Sequence, residues 1–165
     1  MKRALFIGRF QPFHNGHLRV VKSILKKFDE IVIGIGSSQE INTFDNPFSY
    51  EERKNMILKA LKSNKIKNFK IYPIPDLYDD VKWTKYIIKN LPKFDVAFSG
   101  NEWTIRCFNK HKIKCAKIRL VRGINSTNIR NLISKNKNWQ ELVPKEVAMY
   151  LKVGKRIERF KNLPD

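Results

Sequence analysis

Two loops of the sequence concentrate residue types that bind phosphate. The first, Gly8–His17, reads GRFQPFHNGH and carries an arginine and two histidines directly before a predicted helix. The second, Ser126–Arg130, reads STNIR and opens a later predicted helix. Helix N-termini attract anions, and hydroxyl, imidazole and guanidinium groups hydrogen-bond phosphate oxygens. A purely structural role for His14 and His17 is disfavoured, because neither lies on an apolar helical stripe.

The strands and helices that would position these loops alternate along the chain. Apolar, β-branched runs predict strands at Lys2–Gly8, Glu30–Gly36, Phe69–Ile74, Phe94–Ser99 and Ala116–Val121. Apolar spacing and capping signals predict helices over His17–Phe28, after Ser49, over Trp83–Leu91 and Glu102–Phe108, near Ser126 and within the basic segment Trp139–Phe160. This order predicts an α/β, Rossmann-like fold: a five-stranded parallel sheet with helices on both faces and a helical C-terminal segment.

This topology also predicts where a ligand binds. Ligands of open parallel sheets lie beyond the carboxyl ends of the strands. The two phosphate-binding loops follow the first and fifth predicted strands, so we expect them to meet at one edge of the sheet. With 165 residues the chain is long enough for one domain. We expect that domain to comprise an α/β core of residues 1–134 and a helical segment of residues 135–165.

Composition restricts the class of protein. Hydrophobic residues make up 42% of the chain, which excludes a disordered protein, and no apolar run reaches the length of a membrane span. Two cysteines cannot form a disulfide scaffold, so we expect a cytoplasmic setting. The net charge of +19 would concentrate phosphate-rich partners around the protein. Charge alone does not separate a nucleotide from a nucleic acid.

The two loops resemble the two signatures of the nucleotidyltransferase superfamily. His14-Asn15-Gly16-His17 is similar to its histidine-any-glycine-histidine motif, and Ser126–Arg130 is similar to its serine-threonine-any-any-arginine motif. Further segments, in order along nearly the whole chain, resemble the archaeal type of nicotinamide-nucleotide adenylyltransferase: Gly8–His14, Gly36–Gln39, Asn46–Phe48, Glu52-Arg53, Pro75-Asp76, Trp83, Phe98–Asn101 and Trp139–Pro144.

This resemblance implies adenylyl transfer from ATP to nicotinamide mononucleotide, which yields NAD and pyrophosphate. Mg²⁺ would be held through ATP phosphates and water, with no protein metal ligand. The implied catalytic residues are His14, His17 and Arg130. The implied ATP-binding residues are Gly8, Arg9, Phe10, His14, Gly16, His17, Gly100, Asn101, Arg122, Ser126, Thr127 and Arg130. Those implied for nicotinamide mononucleotide are Phe13, Ser37, Asp76, Asp80 and Trp83. The resemblance also implies a homo-oligomer, usually a hexamer.

Two residues depart from the pattern that the resemblance implies. Asp80 stands where an asparagine is expected to contact the acceptor's carboxamide. A carboxylate there would favour the amide over the acid mononucleotide, although Asp80 is also compatible with an exposed loop position. Asp45 stands where an arginine is expected at the phosphates, and Arg122 is a candidate replacement. Trp83 is expected to stack on the nicotinamide ring, with a core position in its helix as the alternative.

Other functions stay open at this stage. Transferases of the same superfamily that act on flavin, pantetheine phosphate or glycerol phosphate carry the same two motifs. A basic nucleic-acid-binding module would explain the charge but neither motif. A metal site at Cys107, His111 and Cys115 lacks a fourth ligand. The basic residues of the C-terminal segment are predicted to form a solvated face: Lys152, Lys155, Arg156, Arg159 and Lys161.

Overall fold

Five parallel strands form one sheet in the order β3-β2-β1-β4-β5. The structure is a computed structural model and describes residues 1–163. The strands are β1 (Arg3–Gly8), β2 (Glu30–Ile35), β3 (Phe69–Pro73), β4 (Val96–Ser99) and β5 (Cys115–Lys117). β1 pairs with β2 on one side and with β4 on the other, so the strand order reverses between β1 and β4. The predicted α/β class with five parallel strands is confirmed.

Helices connect and follow the strands, and side chains cap the N-termini of several of them. Within residues 1–163 the α-helices are α1 (Asn15–Leu25), α2 (Tyr50–Ser63), α3 (Asp80–Asn90), α4 (Glu102–Lys110), α5 (Ser126–Ser134), α6 (Lys145–Lys152) and α7 (Arg156–Lys161). The predicted capping box of α2 is present, because Ser49 and Glu52 each accept the backbone N–H of the other. Asp79, Asn101 and Asn125 cap α3, α4 and α5. None of these helices is long and apolar enough to cross a membrane.

The sheet is buried on both faces. On one face, Leu5 and Val32 pack in a cluster with Trp83 of α3 and with residues of α4. Successive side chains of a strand alternate between the faces. On the opposite face, Phe28, just beyond α1, contacts Phe98 of β4 edge-on with ring centroids 5.7 Å apart. Burial of both faces explains why the predicted strands read as continuous apolar runs.

Two compact units divide the chain, and each is built from separated segments. The sheet unit comprises residues 1–8, 20–38 and 68–119, and it contains all five strands with α3 and α4. The motif unit comprises residues 9–19 and 39–67 and the chain from Leu120. It contains the second motif loop and the first motif loop from Arg9 onward, with α2, α5, α6 and α7. The single domain with a boundary after residue 134 stays a prediction.

Some element boundaries differ from the predictions for local reasons. β5 is shorter than predicted because β4 supplies no partner beyond Ser99, which pairs with Lys117. α3 begins earlier than predicted, at Asp80, because the Asp79 carboxylate accepts the amide N–H of Lys82 at 2.7 Å. In both cases a hydrogen-bond partner, and not the apolar pattern, determines the end of the element.

The prediction that all of the basic C-terminal residues form a solvated face is wrong. Arg159 donates to both carboxylate oxygens of Glu52, at 2.9 and 2.6 Å, and Arg156 lies 3.4 Å from the same carboxylate. The Arg156 guanidinium also lies 3.9 Å from the centroid of the Tyr150 ring. Burial alone would raise the pKa of Glu52, but hydrogen bonds from Arg159 and from the Ser49 amide lower it overall. Arg156 and Arg159 therefore connect the C-terminal segment to Glu52 of α2 by ionic contacts.

Candidate active site

His14 and His17 hold each other in place through their backbone amides. The His14 N–H donates to Nδ1 of His17 at 3.2 Å, and the His17 N–H donates to Nδ1 of His14 at 3.3 Å. The two rings stack with centroids 3.5 Å apart and planes inclined by 19°. The Leu18 amide donates to the His14 carbonyl at 3.1 Å, so α1 begins immediately after His14 and earlier than predicted. Both motif histidines therefore belong to the N-terminus of α1.

These hydrogen bonds select one tautomer of each ring. Because each Nδ1 accepts an N–H, the proton of the neutral imidazole lies on Nε2. Burial lowers the pKa of His14 to about 3. Burial and the neighbouring His14 ring lower the pKa of His17 well below 6.5. The Nε2 atom of His14 is buried and has no hydrogen-bond partner within residues 1–163. At neutral pH this Nε2–H is an uncharged donor with no acceptor in the described part of the chain.

Gly16 leaves room for the ring of His14. A Cβ atom at this position would lie 2.9 Å from Cε1 of His14 and 3.0 Å from its Nδ1. These distances are shorter than van der Waals contact, so any other residue would displace the ring. Displacement would break the hydrogen bond from the His17 amide. The glycine of the histidine-any-glycine-histidine motif is therefore required for steric reasons.

Phe10 and Phe13 surround His17 with apolar surface. Phe10 contacts the His17 ring edge-on with centroids 4.8 Å apart, and Phe13 stacks on it at 5.5 Å. Phe10 is 1% exposed and Phe13 is 0% exposed. Their rings contribute to the burial that keeps His17 uncharged. Both rings contact His17. The ligand contacts implied for Phe10 and Phe13 stay predictions.

Arg130 and Ser126 join the second motif to the first. The Arg130 side chain is 1% exposed and its Nη1 donates to the carbonyl of Gln11 at 3.0 Å. Ser126 Oγ donates to the carbonyl of Pro12 at 3.1 Å. The partners are 119 and 114 residues apart along the chain. The expectation that the two motif loops meet is confirmed.

Asp45 is the counter-ion of Arg130. Its Oδ1 accepts from Nη2 of Arg130 at 2.9 Å, and the same Nη2 lies 3.4 Å from Thr127 Oγ1. Desolvation lowers the pKa of the Arg130 guanidinium, and Asp45 opposes this shift. The Asp45 side chain is 68% exposed, so the carboxylate can move aside. Arg9, which is exposed, donates to Oδ1 of the adjacent Asn46 at 3.5 Å.

Two further buried polar residues shape the first loop, and the sequence analysis did not include them in the site. Gln11 donates to the Phe48 carbonyl at 2.9 Å and accepts the Phe48 N–H at 3.0 Å. Arg53 of α2 is 0% exposed and donates to the carbonyl of Arg9 at 2.9 Å. The sequence indicates the burial of Arg53 by its spacing, because it lies three residues before Met56 on the same, buried face of α2. A buried guanidinium group requires hydrogen-bond partners.

The remaining predicted residue of the motif unit is Arg122. It is exposed in the loop before α5. Asn125 caps this helix by accepting the Asn128 amide N–H at 2.8 Å, and the Asn128 side chain donates to the Gly123 carbonyl at 2.9 Å. These bonds fix the turn that leads into the second motif. Whether Arg122 replaces the arginine that is absent at position 45 stays a prediction.

Four predicted residues of the sheet unit lie at or just beyond the carboxyl ends of strands. Gly8 is the last residue of β1, Ser37 follows β2 with a φ of 47°, and Gly100 follows β4. Asn101 caps α4 by accepting the Thr104 amide N–H at 3.1 Å. This is the edge at which the topology places ligands. Their individual ligand contacts stay predictions.

A cavity of about 340 Å³ in the sheet unit contains two predicted acceptor-binding residues. Its lining residues are Asp76, Leu77, Tyr78, Asp80 and Trp103. Asp80 is the first residue of α3. Its Oδ1 accepts from Trp103 Nε1 at 3.2 Å, and its Oδ2 accepts from Lys110 Nζ at 2.7 Å. The hydrogen bond from Lys110 is the main cause that lowers the pKa of Asp80.

Trp83 lies in the hydrophobic core of the sheet unit. It is 3% exposed, and its ring centroid is 4.9 Å from that of Trp103 and 5.6 Å from that of Phe108. This core position is the alternative that the sequence left open. Trp103, which the sequence analysis did not single out, is the tryptophan that lines the cavity.

No group of three histidine, cysteine or carboxylate side chains that could hold a metal ion occurs within residues 1–163. In particular, Nδ1 of His111 lies 2.9 Å from the backbone carbonyl of Cys107. Burial raises the pKa of the Cys115 thiol to about 11, which disfavours a thiolate ligand. The spacing of Cys107, His111 and Cys115 therefore reflects their positions in and after α4 and does not form a metal site.

A five-stranded parallel α/β sheet in a chain that also carries the two histidine and arginine motifs is typical of nucleotidyltransferases. This chain belongs to that class and, within it, to the cytidylyltransferase-like family, which matches residues 5–151.

Relatives named nicotinamide-nucleotide adenylyltransferase are similar to the chain along nearly its whole length. The one from Saccharolobus solfataricus is 41% identical, over 99% of this chain and 97% of the relative. The one from Thermococcus kodakarensis is 36% identical, over 99% of this chain and 89% of the relative. A crystal structure of a bifunctional NMN adenylyltransferase/ADP ribose pyrophosphatase from Francisella tularensis superposes with a TM-score of 0.81 at 26% identity. The match covers 98% of this chain and 52% of that longer protein.

Proposed function

We propose that the chain transfers the adenylyl group of ATP to nicotinamide mononucleotide and so forms NAD and pyrophosphate, a step of NAD biosynthesis. The observation that carries the proposal is the buried His14 Nε2–H donor, which has no acceptor within residues 1–163 and belongs to the same unit as the buried Arg130. An anionic oxygen would satisfy this donor. The relatives named for this reaction, at 36% and 41% identity over nearly the whole chain, support the choice of acceptor.

The 5′-phosphate of the mononucleotide is the nucleophile. The second pKa of a phosphomonoester is about 6, so this group is largely dianionic at neutral pH. One of its oxygens bonds to the α-phosphorus of ATP while the bond from that phosphorus to the bridging β-phosphate oxygen breaks. Pyrophosphate leaves with the electron pair of that bond. No proton has to be removed from the nucleophile, so the site needs no general base.

The side chains of the motif unit orient the phosphates and compensate their charge. His14 and His17 donate from Nε2 to oxygens of the α- and β-phosphates. Arg130 and Arg9 stabilise the charge on the transferring group and on the leaving pyrophosphate. Because the imidazoles are neutral, the guanidinium groups of Arg9 and Arg130 supply the positive charge at the phosphates. Asp45 gives up part of its contact with Arg130 when a phosphate binds there.

In this proposal Mg²⁺ enters the site bound to oxygens of the triphosphate. Mg²⁺ dehydrates reluctantly, so it would keep water and phosphate oxygens as its ligands. When bound, the ion supplies positive charge to the triphosphate and to the departing pyrophosphate.

The cavity of the sheet unit suits the pyridine end of the acceptor. The nicotinamide ring of the mononucleotide is a flat cation, and the cavity presents the carboxylates of Asp76 and Asp80 beside the ring of Trp103. Aromatic faces and carboxylates both attract such a cation. In this proposal Gly100 and Asn101 border the adenosine.

The setting and the assembly of the protein are part of the proposal. Cys107 and Cys115 are free thiols, which suits a reducing, cytoplasmic compartment. The resemblance to the archaeal type leads us to expect a homo-oligomer, with a hexamer as the first choice. Sedimentation velocity at several protein concentrations tests this assembly.

A coupled assay tests the reaction. Purified protein is incubated with ATP, Mg²⁺ and either nicotinamide or nicotinate mononucleotide, while dinucleotide and pyrophosphate are followed in parallel. We expect equal amounts of the two products and a loss of about 100-fold or more in kcat for His17→Ala, since one preorganised donor is removed from the phosphates.

Failure of the assay has a defined meaning. If the protein turns over flavin mononucleotide, phosphopantetheine or glycerol phosphate and neither pyridine mononucleotide, the acceptor is wrong and the adenylyl- or cytidylyltransferase class stands. If no acceptor is turned over and RNA binds with a steep dependence on salt, the nucleic-acid alternative replaces the proposal.

A further inference from the structure

Two side chains of α4 hold the Asp80 carboxylate, one at each oxygen. Trp103 Nε1 donates to Oδ1 at 3.2 Å, and Lys110 Nζ donates to Oδ2 at 2.7 Å. The backbone of Asp80 is also held, because Thr84 Oγ1 donates to its carbonyl at 2.8 Å. The carboxylate therefore has a defined direction at the start of α3. Neither Trp103 nor Lys110 has a counterpart among the residues implied by the family resemblance.

The held carboxylate keeps free acceptor capacity. A carboxylate has about four lone-pair sites, and the two donors from α4 use one on each oxygen. Asp80 and Trp103 both line the 340 Å³ cavity, and the Asp80 side chain is 36% exposed. A carboxamide NH₂ that enters this cavity can donate to the remaining sites. A carboxylate at the same place has no N–H to donate and is repelled.

Lys110 determines how strong that repulsion is. Its ammonium group compensates the Asp80 charge at hydrogen-bond distance, and its side chain is 63% exposed. Solvent screens such a pair, so its contribution to folding stability is small. Its effect on a second carboxylate brought close to Asp80 is direct, because an uncompensated Asp80 repels that group more strongly than a paired one does.

We propose that Lys110 and Trp103 are positioning residues that act through Asp80 to set the preference between the amide and the acid mononucleotide. The inference rests on the proposed function and specifies its acceptor. Trp103 directs the carboxylate by its indole N–H. Lys110 moderates the charge of that carboxylate, and so moderates the rejection of the acid.

The test is a double-mutant cycle on the amide-to-acid ratio. The ratio is measured twice: as dissociation constants of nicotinamide and nicotinate mononucleotide from calorimetry without ATP, and as kcat/KM with ATP. The variants are Lys110→Met, Asp80→Asn, the double variant and Trp103→Phe. Lys89→Met, at an exposed position in the last turn of α3, is the matched control for loss of one lysine charge.

We expect Lys110→Met to raise the preference for the amide about fivefold, the factor that corresponds to one solvent-screened charge contact at about 4 Å. Trp103→Phe keeps an aromatic ring but loses the N–H, so the preference should fall. Asp80→Asn should also lower it, and Lys110→Met should then have no further effect. The changes should lie in KM more than in kcat. Lys89→Met should leave the ratio unchanged.

Each outcome decides the matter, because a ratio of two substrates does not depend on the fraction of folded protein. An effect of Lys110→Met that is absent, or that persists unchanged in the Asp80→Asn background, overturns the inference. Selective binding of the amide without formation of NAD refutes the proposed reaction and leaves the inference standing. Formation of NAD with an unaltered amide-to-acid ratio in every variant supports the proposed reaction and overturns the inference. Absence of both binding and turnover overturns both.

Discussion

Single residues decide the charge of the first motif loop, because its histidines are too deeply buried to be cations at neutral pH. His14 is 0% exposed and His17 is 7% exposed. Each Nδ1 is already occupied by a backbone N–H, and protonation would place a charge in an apolar setting that includes Phe10 and Phe13. The pair therefore differs from a pH switch: its hydrogen-bonding role is the same across the physiological range.

We predict that neither ring titrates between about pH 8 and pH 5. Nitrogen-15 NMR of the histidine side chains should show both rings as the Nε2–H tautomer throughout this range. The physical reason is that burial lowers the pKa of His14 to about 3 and that of His17 well below 6.5. A midpoint near 6.5 for either ring would contradict the prediction.

Stability against acid provides a second readout of the same shifts. The unfolded chain protonates these histidines near pH 6.5, whereas the folded chain does not. Their contribution to the free energy of unfolding is therefore complete above 6.5 and is lost progressively as the pH falls toward 3. Unfolding by urea should show a decline between about pH 6.5 and pH 4.5, above the range of the carboxyl groups. The double variant His14→Gln, His17→Gln should lack this decline.

Gly16→Ala should impair catalysis with little loss of stability. The added methyl group would lie 2.9 Å from His14 Cε1 and would push the ring out of place. A misplacement of this kind costs about 100-fold in kcat. Alanine is favoured over glycine in a helix by about 1 kcal/mol, which offsets the lost hydrogen bond. Steady-state kinetics and thermal unfolding measure the two effects.

The neighbouring exposed position of α1 supplies the control for this variant. Arg19→Ala makes a similar change in the same helix, away from the ring of His14. Its kcat should stay within about twofold of the parent value, as is usual for a surface substitution. A Gly16→Ala variant with full activity would mean that the ring position is not limiting.

At the scale of elements, α2 links several parts of the motif unit. Its start is closed by the capping box of Ser49 and Glu52. Arg53, one residue further, donates to the Arg9 carbonyl of the first loop. Glu52 also binds Arg159 of α7. One turn of helix therefore supports the phosphate loop and anchors the C-terminal segment.

Ser49→Ala should lower the free energy of unfolding by about 1 kcal/mol, the usual contribution of an N-cap side chain. The loss arises because the Glu52 amide N–H is left without the Ser49 Oγ acceptor, now 3.1 Å away. Urea denaturation measures it. Ser63→Ala, at the other end of α2, removes a hydroxyl that donates to the Ala60 carbonyl at 3.3 Å and accepts from Asn64 Nδ2 at 3.4 Å. Asn64 Nδ2 keeps its hydrogen bond to the Ala60 carbonyl, so this change should alter stability by less than about 0.5 kcal/mol. Equal losses at the two ends would argue against the cap.

Local patterns in the sequence predict the elements and motifs well. The family resemblance singles out His14, His17 and Arg130, whose catalytic roles stay predictions. Local patterns do the rest: the apolar runs identify all five strands, and the capping box identifies the start of α2. These features depend on neighbours within a few residues. Their physical causes, helix capping and burial periodicity, are therefore readable before the fold is known.

Partners that are distant along the chain could not be read in the same way. Asp45 and Arg130 are 85 residues apart, and Asp80 and Lys110 are 30 apart. Nothing in the local spacing joins these charges. The different positions of Trp83 and Trp103 have the same origin, because only the packing of α3 against α4 decides which ring is buried and which lines the cavity.

For the whole molecule, the dominant property is the net charge of +19. Such a field attracts ATP, which carries more negative charge than the mononucleotide. We predict that kcat/KM for ATP falls as ionic strength rises from about 0.01 M to 0.15 M, over which the screening length shrinks from about 30 Å to 8 Å. The value of kcat should change little. Initial rates at several concentrations of potassium chloride measure both.

The mononucleotide serves as the internal control for this effect. Its kcat/KM should depend less on salt than that of ATP, because fewer charges are steered toward the protein. Equal salt dependence for the two substrates would mean that general screening of the folded state, and not attraction of the ligand, causes the change.

The reciprocal bonds of His14 and His17 have a consequence for the cost of recognition. Since backbone amides hold both rings, the proposed binding of a nucleotide would require neither a proton shift nor a rotation of either ring. The entropy of ordering these donors is lost when the chain folds and would not be lost again when substrate binds. In the proposed reaction, the conformation that starts α1 is therefore already the conformation that would bind phosphate.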